Sequence, residues 1–260
     1  MKHFTKLIII LIASVTILSC QNTKENKQTI EQNIETTTEK KVQFVKTISY
    51  AVVWDWSQNN TVDKILPVIQ KQVPVIIDLW KKGTIENVYM DTESKLNDNE
   101  KYSKVFFIIK GESIEQIKTI LDDTPLAKAG IANYKLYPLG VKWLKRNKKA
   151  IELTQKNKNT FAVVWNPIKY NEKYEQYLGE QNIQLMKLWN DGIIENAYLN
   201  TEGISQKNIQ ETALVYFINA STEEEATKIL NNFPFIKEEV GTYTLNKVGR
   251  FWMSTPEDYK

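Results

Sequence analysis

Three side chains of this sequence are candidates for proton-transfer chemistry: Asp55, Tyr89 and Tyr198. A carboxylate or a phenol can act as an acid or a base once its surroundings adjust its pKa. The single histidine is His3 and the single cysteine is Cys20, and both lie near the N-terminus. Removal of a leader and modification of Cys20 would leave neither imidazole nor free thiol, which excludes Ser-His-Asp and Cys-His mechanisms. The same absence excludes zinc sites built from Cys and His, and the sequence predicts no metal and no cofactor.

A larger group of polar and aromatic side chains predicts a small-molecule pocket. Alternation along predicted strands at 85–91 and 194–200 places their Asn, Tyr and Asp side chains on one face, with Glu86 and Glu195 on the opposite, apolar face. The ligand-binding candidates are Trp54, Asn87, Tyr89, Asp91, Trp165, Asn196, Tyr198 and Asn200. In the alternative interpretation, the polar side chains serve strand ends and turns while the aromatic side chains belong to the core.

The N-terminus has the pattern of an exported lipoprotein. A basic start precedes an uncharged apolar run at 7–18 that is too short for a comfortable membrane span. The run ends Ile17-Leu18-Ser19-Cys20, which resembles the lipobox of bacterial lipoproteins. We therefore expect a signal peptide at 1–19, lipidation of Cys20 and a membrane-anchored position in the cell envelope, periplasmic or surface-exposed. An ordinary signal peptide or an uncleaved anchor is the alternative.

Residues 20–46 are polar and charged, which predicts a flexible tether rather than a packed segment. Removal of residues 1–19 takes away Lys2 and Lys6 and leaves 32 Lys and Arg against 31 Asp and Glu. A nearly neutral chain without a clustered basic face predicts no nucleic-acid partner. The expected partners are a membrane, through the lipid, and a small molecule, while the oligomeric state stays open.

The rest of the sequence repeats itself. The segment YAVVWD at 50–55 returns as FAVVWN at 161–166, and seven of eleven residues are identical between 83–93 and 192–202. The repeat predicts a first domain at 47–144, a linker at 145–159 and a second domain at 160–260.

Each copy has the pattern strand, helix, strand, strand, helix, strand, which is typical of a ferredoxin-like α+β fold. Capping boxes are predicted at Ser113…Gln116 and Ser221…Glu224, and Pro74 is expected to kink the first helix or delay its start. We expect the two sheets to pair face to face within one chain, as an intramolecular α+β barrel. The alternatives are side-by-side domains or pairing between chains.

Each copy resembles the muconolactone isomerase family. The resemblance rests on the start of strand one, on the Leu-Trp-x-x-Gly helix end, and on the segments VFFIIKGES at 105–113 and YKLYPLG at 134–140. It implies small ferredoxin-like domains and cofactor-independent isomerisation of a lactone by proton transfer. The catalytic segments expected of that family are not matched here, so no catalytic residue is carried over.

Three functions follow as hypotheses. The first is an envelope lipoprotein whose paired domains bind a small apolar or aromatic molecule. The second is a cofactor-independent isomerase or lyase that uses Asp55, Tyr89 or Tyr198. The third is a non-catalytic scaffold or interaction domain whose inter-sheet space is a solid core.

Overall fold

A computed structural model describes residues 47–57, 60–94, 96, 102–154, 159–166, 172–200 and 214–253 of the 260-residue chain. The predicted leader, the lipidation site at Cys20 and the tether lie outside these residues. The elements in chain order are β1 (Ile48–Trp56), α1 (Val62–Lys81), β2 (Ile85–Asp91), β3 (Lys104–Gly111), α2 (Ile114–Asp122), α3 (Pro125–Lys128), β4 (Ala132–Leu144), α4 (Lys148–Thr154), β5 (Asn159–Trp165), α5 (Glu172–Asn190), β6 (Ile194–Leu199), β7 (Leu214–Ala220), α6 (Glu223–Leu230), α7 (Pro234–Lys237) and β8 (Tyr243–Met253).

The eight strands close into one antiparallel barrel in the order β1-β3-β2-β8-β5-β7-β6-β4. The predicted α+β class, with antiparallel strands and helices, is confirmed. Two tandem domains are not confirmed, because the described residues between 47 and 253 belong to a single compact unit. The seams between the halves are main-chain pairings, β2 with β8 and β4 with β6.

The strands separate a hydrophobic core on their helix side from another in the barrel interior. The outer core lies between the first-half strands and helices, and its buried members include Val52, Phe107 and Leu121. The inner core lies inside the barrel and joins both halves, with Tyr89, Tyr198 and Phe217 among its fully buried members. Because successive residues of a strand point to opposite faces, one strand supplies both cores.

Local signals agree with the sequence in part. The Ser113 hydroxyl accepts from the Gln116 N–H, so Ser113 is confirmed as the N-cap, while the Gln116 side chain accepts from the Glu112 N–H in place of Ser113. The second capping box is one residue out of place, because Thr222 rather than Ser221 accepts, from the Glu225 N–H.

Helix α1 is continuous from Val62 to Lys81 and contains Pro67 and Pro74. Of the two outcomes expected at Pro74, a kink or a late start, the late start is wrong. Packing of the apolar helix face against the sheet outweighs the hydrogen bonds lost at the two prolines. Within the described part of the chain, no helix is long and apolar enough to cross a membrane.

Candidate functional site

Bulges in the two equivalent strands set the geometry of the barrel interior. In β2, Ile85 pairs with Ile109 and Val88 pairs with Phe107, so Glu86 and Asn87 together oppose one residue of β3. The β6–β7 pairing has an irregularity at the equivalent place, between Ile194 and Asn196. A bulge adds one residue to a strand and re-aims its side chains. The prediction that Glu86 and Glu195 share the apolar face is therefore wrong.

Both glutamates bind tyrosines of the opposite half. The Tyr89 hydroxyl donates to Glu195 Oε2 at 3.2 Å, and the Tyr198 hydroxyl donates to Glu86 Oε2 at 2.9 Å. Both tyrosines and Glu195 are fully buried, and Glu86 is 5% exposed. Hydrogen bonds to a buried carboxylate are stronger than those between neutral groups. These reciprocal bonds therefore connect the two halves through the barrel centre.

The cations beside the two glutamates differ. Glu86 lies 3.1 Å from Lys142 Nζ and 3.9 Å from Lys110 Nζ, and both lysine side chains keep some solvent contact. Glu195 instead pairs with Arg146, whose side chain is fully buried. The second site is thus the more completely desolvated of the two.

Further contacts close the Glu195 site. The Thr160 hydroxyl donates to Glu195 Oε1 at 2.6 Å. The Arg146 guanidinium lies 3.3 Å from the centre of the Phe251 ring, a cation–π geometry. Because Glu195 accepts from Tyr89 and Thr160 and pairs with an arginine, it remains solvated by protein groups in place of water.

The asparagines that follow the glutamates are equally buried. Asn87 and Asn196 are each 1% exposed. The Asn196 Nδ2 donates to the Tyr89 hydroxyl at 3.4 Å. Neither amide atom of Asn87 has a hydrogen-bond partner among the described residues.

Aromatic rings occupy the space between the polar pairs. Tyr89 stacks on Phe217 with ring centroids 5.6 Å apart, and it also contacts Phe106 and Phe251 at 5.7 Å. Tyr198 contacts the edge of Phe217 at 6.0 Å. Tyr89 and Tyr198 therefore lie in a packed core, with their hydroxyls committed to carboxylates.

Trp54 and Trp165 lie on the helix side of the sheet rather than in the barrel. Trp54 belongs to the outer core and contacts Tyr134 edge-on at 5.4 Å. Trp165 contacts Phe233 and Phe235 of the second half. Both tryptophans are at most 3% exposed, so their placement agrees with the core interpretation.

Asp55 has different partners from the two tyrosines. Its carboxylate bonds Lys104 Nζ and Lys135 Nζ, each at 3.0 Å, and we call these three residues the Asp55 cluster. The Lys104 hydrogen bond, with help from Lys135, holds the pKa of Asp55 below its usual value despite partial burial. Asp55 is 39% exposed, so the cluster reaches solvent. The three catalytic candidates therefore do not converge on one site.

The remaining candidates sit at strand ends. Asp91 accepts hydrogen bonds from the Glu93 N–H and the Ser94 hydroxyl, and Lys247 lies 3.4 Å from its carboxylate. Asn200 is 6% exposed and directly follows β6. Asp91 thus serves the turn after β2, as the alternative interpretation expected.

Arg146 is the main functional candidate that the sequence interpretation missed. It falls in the stretch interpreted as a linker, where helix α4 also lies, and it is 4% exposed. The rarity of arginine could have pointed to this residue, because Arg146 and Arg250 are the only arginines of a lysine-rich chain. Arginine is the cation preferred for buried, planar ion pairs. Among the described residues, no group of three or more His, Cys, Asp or Glu could hold a metal ion.

Comparison with known proteins gives fold neighbours only. No family model matches the chain, and no curated protein sequence matches it. The solved structures found include chlorite dismutases from Candidatus Nitrospira defluvii. A point mutant covers 81% of this chain and 92% of its own, at 8% identity and a TM-score of 0.49. The imidazole complex covers 80% and 91%, with the same identity and TM-score.

The resemblance to muconolactone isomerases is wrong, because the structures found are chlorite dismutases and no family model supports the isomerase. The lactone isomerisation that the resemblance implied is therefore wrong as well. So is the binding of a small apolar or aromatic molecule, which strand alternation had predicted separately from the resemblance. Identities of 8% at TM-scores below 0.5 give this chain no activity in their place.

Proposed function

We propose that this chain is a non-catalytic interaction module whose barrel interior joins the two halves and whose outer surface makes the functional contact. One observation carries the proposal: the buried Tyr89 and Tyr198 hydroxyls donate to glutamates of the opposite half. Polar groups that satisfy each other inside a packed core stabilise a single arrangement. The tyrosines and glutamates described at the barrel centre are thus already bonded to each other.

A haem group, which the chlorite dismutase-like fold implies, does not fit this donor set. Haem iron is held by His, Cys, Met with His, or Tyr ligands. The described residues contain neither His nor Cys, since His3 and Cys20 are the only ones in the chain. The tyrosines of the barrel centre hydrogen-bond glutamates. We therefore derive no haem chemistry for this chain.

The candidate contact surface is the Asp55 cluster together with Tyr137. Lys135 and Tyr137 are 66% and 50% exposed and lie two residues apart on β4. Two lysines share one carboxylate, so the cluster carries a net positive charge that complements an acidic surface. The lowered pKa makes Asp55 a weak base, which disfavours general-base catalysis at neutral pH.

Photo-crosslinking in the native host tests this surface. A photoreactive amino acid at position 137 should give a defined adduct, and the same amino acid at the exposed helix position Lys118 should not. Lys104→Glu and Lys135→Glu together should abolish the adduct by reversing the charge. Tyr198→Phe should leave it in place, because that side chain lies in the core. Equal labelling from positions 137 and 118, or an adduct lost in Tyr198→Phe at normal protein levels, would contradict the proposal.

We further propose that Cys20 carries the lipid that anchors the chain in the cell envelope. The uncharged run at 7–18 and the Ile-Leu-Ser-Cys ending support this proposal. Metabolic labelling with a fatty acid should mark the wild-type protein, and Cys20→Ser should lose both the label and membrane fractionation. Labelling that persists in Cys20→Ser would refute the lipid site.

The finer architecture is also a proposal: we infer that the halves are two copies of one ferredoxin-like unit. Each half contributes four neighbouring strands to the barrel, in the order β4-β1-β3-β2 and β8-β5-β7-β6. A buried glutamine in each first helix accepts from the start of the short third helix, Gln72 from Leu126 and Gln181 from Phe235. The repeated sequence supports the same inference.

A further inference from the structure

The first bulge carries a buried amide that no described residue hydrogen-bonds. Asn87 is 1% exposed, and neither its Nδ2 nor its Oδ1 has a partner. Folded proteins pair nearly all buried polar atoms, with protein groups or with ordered water. The site is polar, since Glu86 is the preceding residue and binds the Tyr198 hydroxyl.

In the second half the equivalent amide is partnered through its nitrogen, while Asn196 Oδ1 has no hydrogen-bond partner among the described residues. There the Asn196 Nδ2 reaches the Tyr89 hydroxyl directly, at 3.4 Å. The corresponding pair in the first half is Asn87 with Tyr198, and no hydrogen bond joins them. The two bulges therefore differ in one bond, although they share the same residue types.

The two halves also differ in one residue that lies two strands away from each bulge. Thr160 pairs with Gly249 across the β5–β8 ladder, and Ser49 pairs with Gly140 at the equivalent place on β1 and β4. The Thr160 hydroxyl donates to Glu195 at 2.6 Å, and the first half has Ser49 at the equivalent position. Serine is one methyl group smaller than threonine, so the side chain at this position is the smaller one in the first half.

We propose that an ordered water molecule lies at the first bulge and bridges the Asn87 amide to the Tyr198 hydroxyl. Such a water accepts from Asn87 Nδ2 and donates to Asn87 Oδ1 and to the Tyr198 oxygen. Three hydrogen bonds are typical of a buried water molecule. The second bulge makes the same connection without water, through the Asn196–Tyr89 contact. The inference goes beyond the proposed function, because it assigns a solvent-binding site to the barrel interior.

A high-resolution crystal structure of the mature chain with Cys20→Ser tests the site directly. The expected result is a water molecule within about 3.2 Å of an Asn87 amide atom and of the Tyr198 oxygen. Solution NMR gives an independent readout, a cross-peak between water and the Asn87 side-chain amide protons. A dry site in the crystal structure overturns the proposal, as does an Asn87 amide without the water cross-peak.

A pair of leucine variants tests the energetic consequence. If water binds Asn87, Asn87→Leu loses those hydrogen bonds, and the unfolding equilibrium constant should rise roughly tenfold. If the amide is dry and unpaired, the same substitution removes a buried unsatisfied group and should make the protein more stable. Asn196→Leu is the matched control, because it should break the direct contact with Tyr89 and leave the water at Asn87 in place.

Discussion

At the scale of single residues, the two buried glutamates have matching tyrosine partners but cations of different burial. Lys142 beside Glu86 keeps 20% of its side chain exposed, so water still solvates that pair in part. Arg146 beside Glu195 has no exposed side-chain surface. Removing one member of a fully buried ion pair leaves an uncompensated charge, which costs more than losing a surface pair. The second half should therefore be the more sensitive to loss of its cation.

We expect Arg146→Met to lower the free energy of unfolding by about 3–5 kcal/mol, because Glu195 loses its countercharge inside the core. Arg250→Met is the matched control and should change stability by less than about 0.5 kcal/mol, since Arg250 is exposed. Adding Glu195→Gln to Arg146→Met should recover much of the loss. Urea unfolding of the four proteins measures these differences. Equal effects of the two arginine variants would show that the buried ion pair contributes no more to the free energy of unfolding than an exposed arginine does.

The Asp55 cluster predicts a pH-dependent contribution to stability. Its lysines lower the pKa of the folded-state carboxyl, so the stabilisation is fully present above the unfolded pKa of about 3.9. It is lost as the pH falls through the lower, folded pKa. Asp55→Asn, which copies Asn166 of the second half, should be less stable than wild type near neutral pH. The two unfolding midpoints should converge in acid, and a difference that stays constant down to low pH would contradict the assignment.

At the scale of the elements, alternation along β2 and β6 predicts the faces correctly on only one side of each bulge. Val88 and Tyr89 alternate as expected, between the outer and the inner core. Glu86 is displaced because the bulge adds a residue between it and Val88. Nothing in a single sequence marks a bulge composed of Glu and Asn, since the signal depends on how many residues the partner strand supplies. The sequence therefore predicts the inward position of Tyr89 and Tyr198 but not that of the two glutamates.

A glycine lies in each of the two strand pairings that join the halves, Gly140 in β4–β6 and Gly249 in β2–β8. Gly140 has φ +84° and Gly249 has φ +98°. A Cβ at Gly140 would lie 2.1 Å from the Leu199 oxygen, and one at Gly249 would lie 2.4 Å from the Met90 oxygen. Both conflicts are with backbone of the facing strand, so a side chain cannot be accommodated by a change of rotamer. The seams therefore require residues without a side chain.

We expect Gly140→Ala and Gly249→Ala each to destabilise the barrel by more than about 1 kcal/mol, because alanine disfavours the positive φ and pushes the paired strands apart. Gly179→Ala is the control. It lies within helix α5 with no atom near its added Cβ, and it should stabilise by about 0.5–1 kcal/mol. Chemical denaturation measures the free energy of unfolding of all three variants. Seam variants as stable as wild type would mean that the strand pairings at Leu199 and Met90 are looser than described.

At the scale of the whole molecule, the sequence repeat predicts the elements of each half but not the closure of the barrel. Repeated segments predict each half's strands and helices, because these depend on local periodicity and caps. Closure depends on pairings such as Tyr89 with Phe251 and Lys142 with Tyr198. These contacts span far more of the sequence than any local pattern reports. The sequence therefore predicts the parts well and the connection between them only as one of several arrangements.

Closure predicts that the two halves unfold together. They share seam strands, the inner core and the reciprocal Tyr–Glu bonds, so neither half can lose its structure without exposing the interior of the other. We expect one urea transition, with the same midpoint by tryptophan fluorescence and by far-ultraviolet circular dichroism. Residues 47–144 expressed alone should lack a cooperative transition, because β2 and β4 lose their seam partners. Two separated transitions, or a first half that folds cooperatively by itself, would instead establish independent domains and leave the cross-half bonds as secondary contacts.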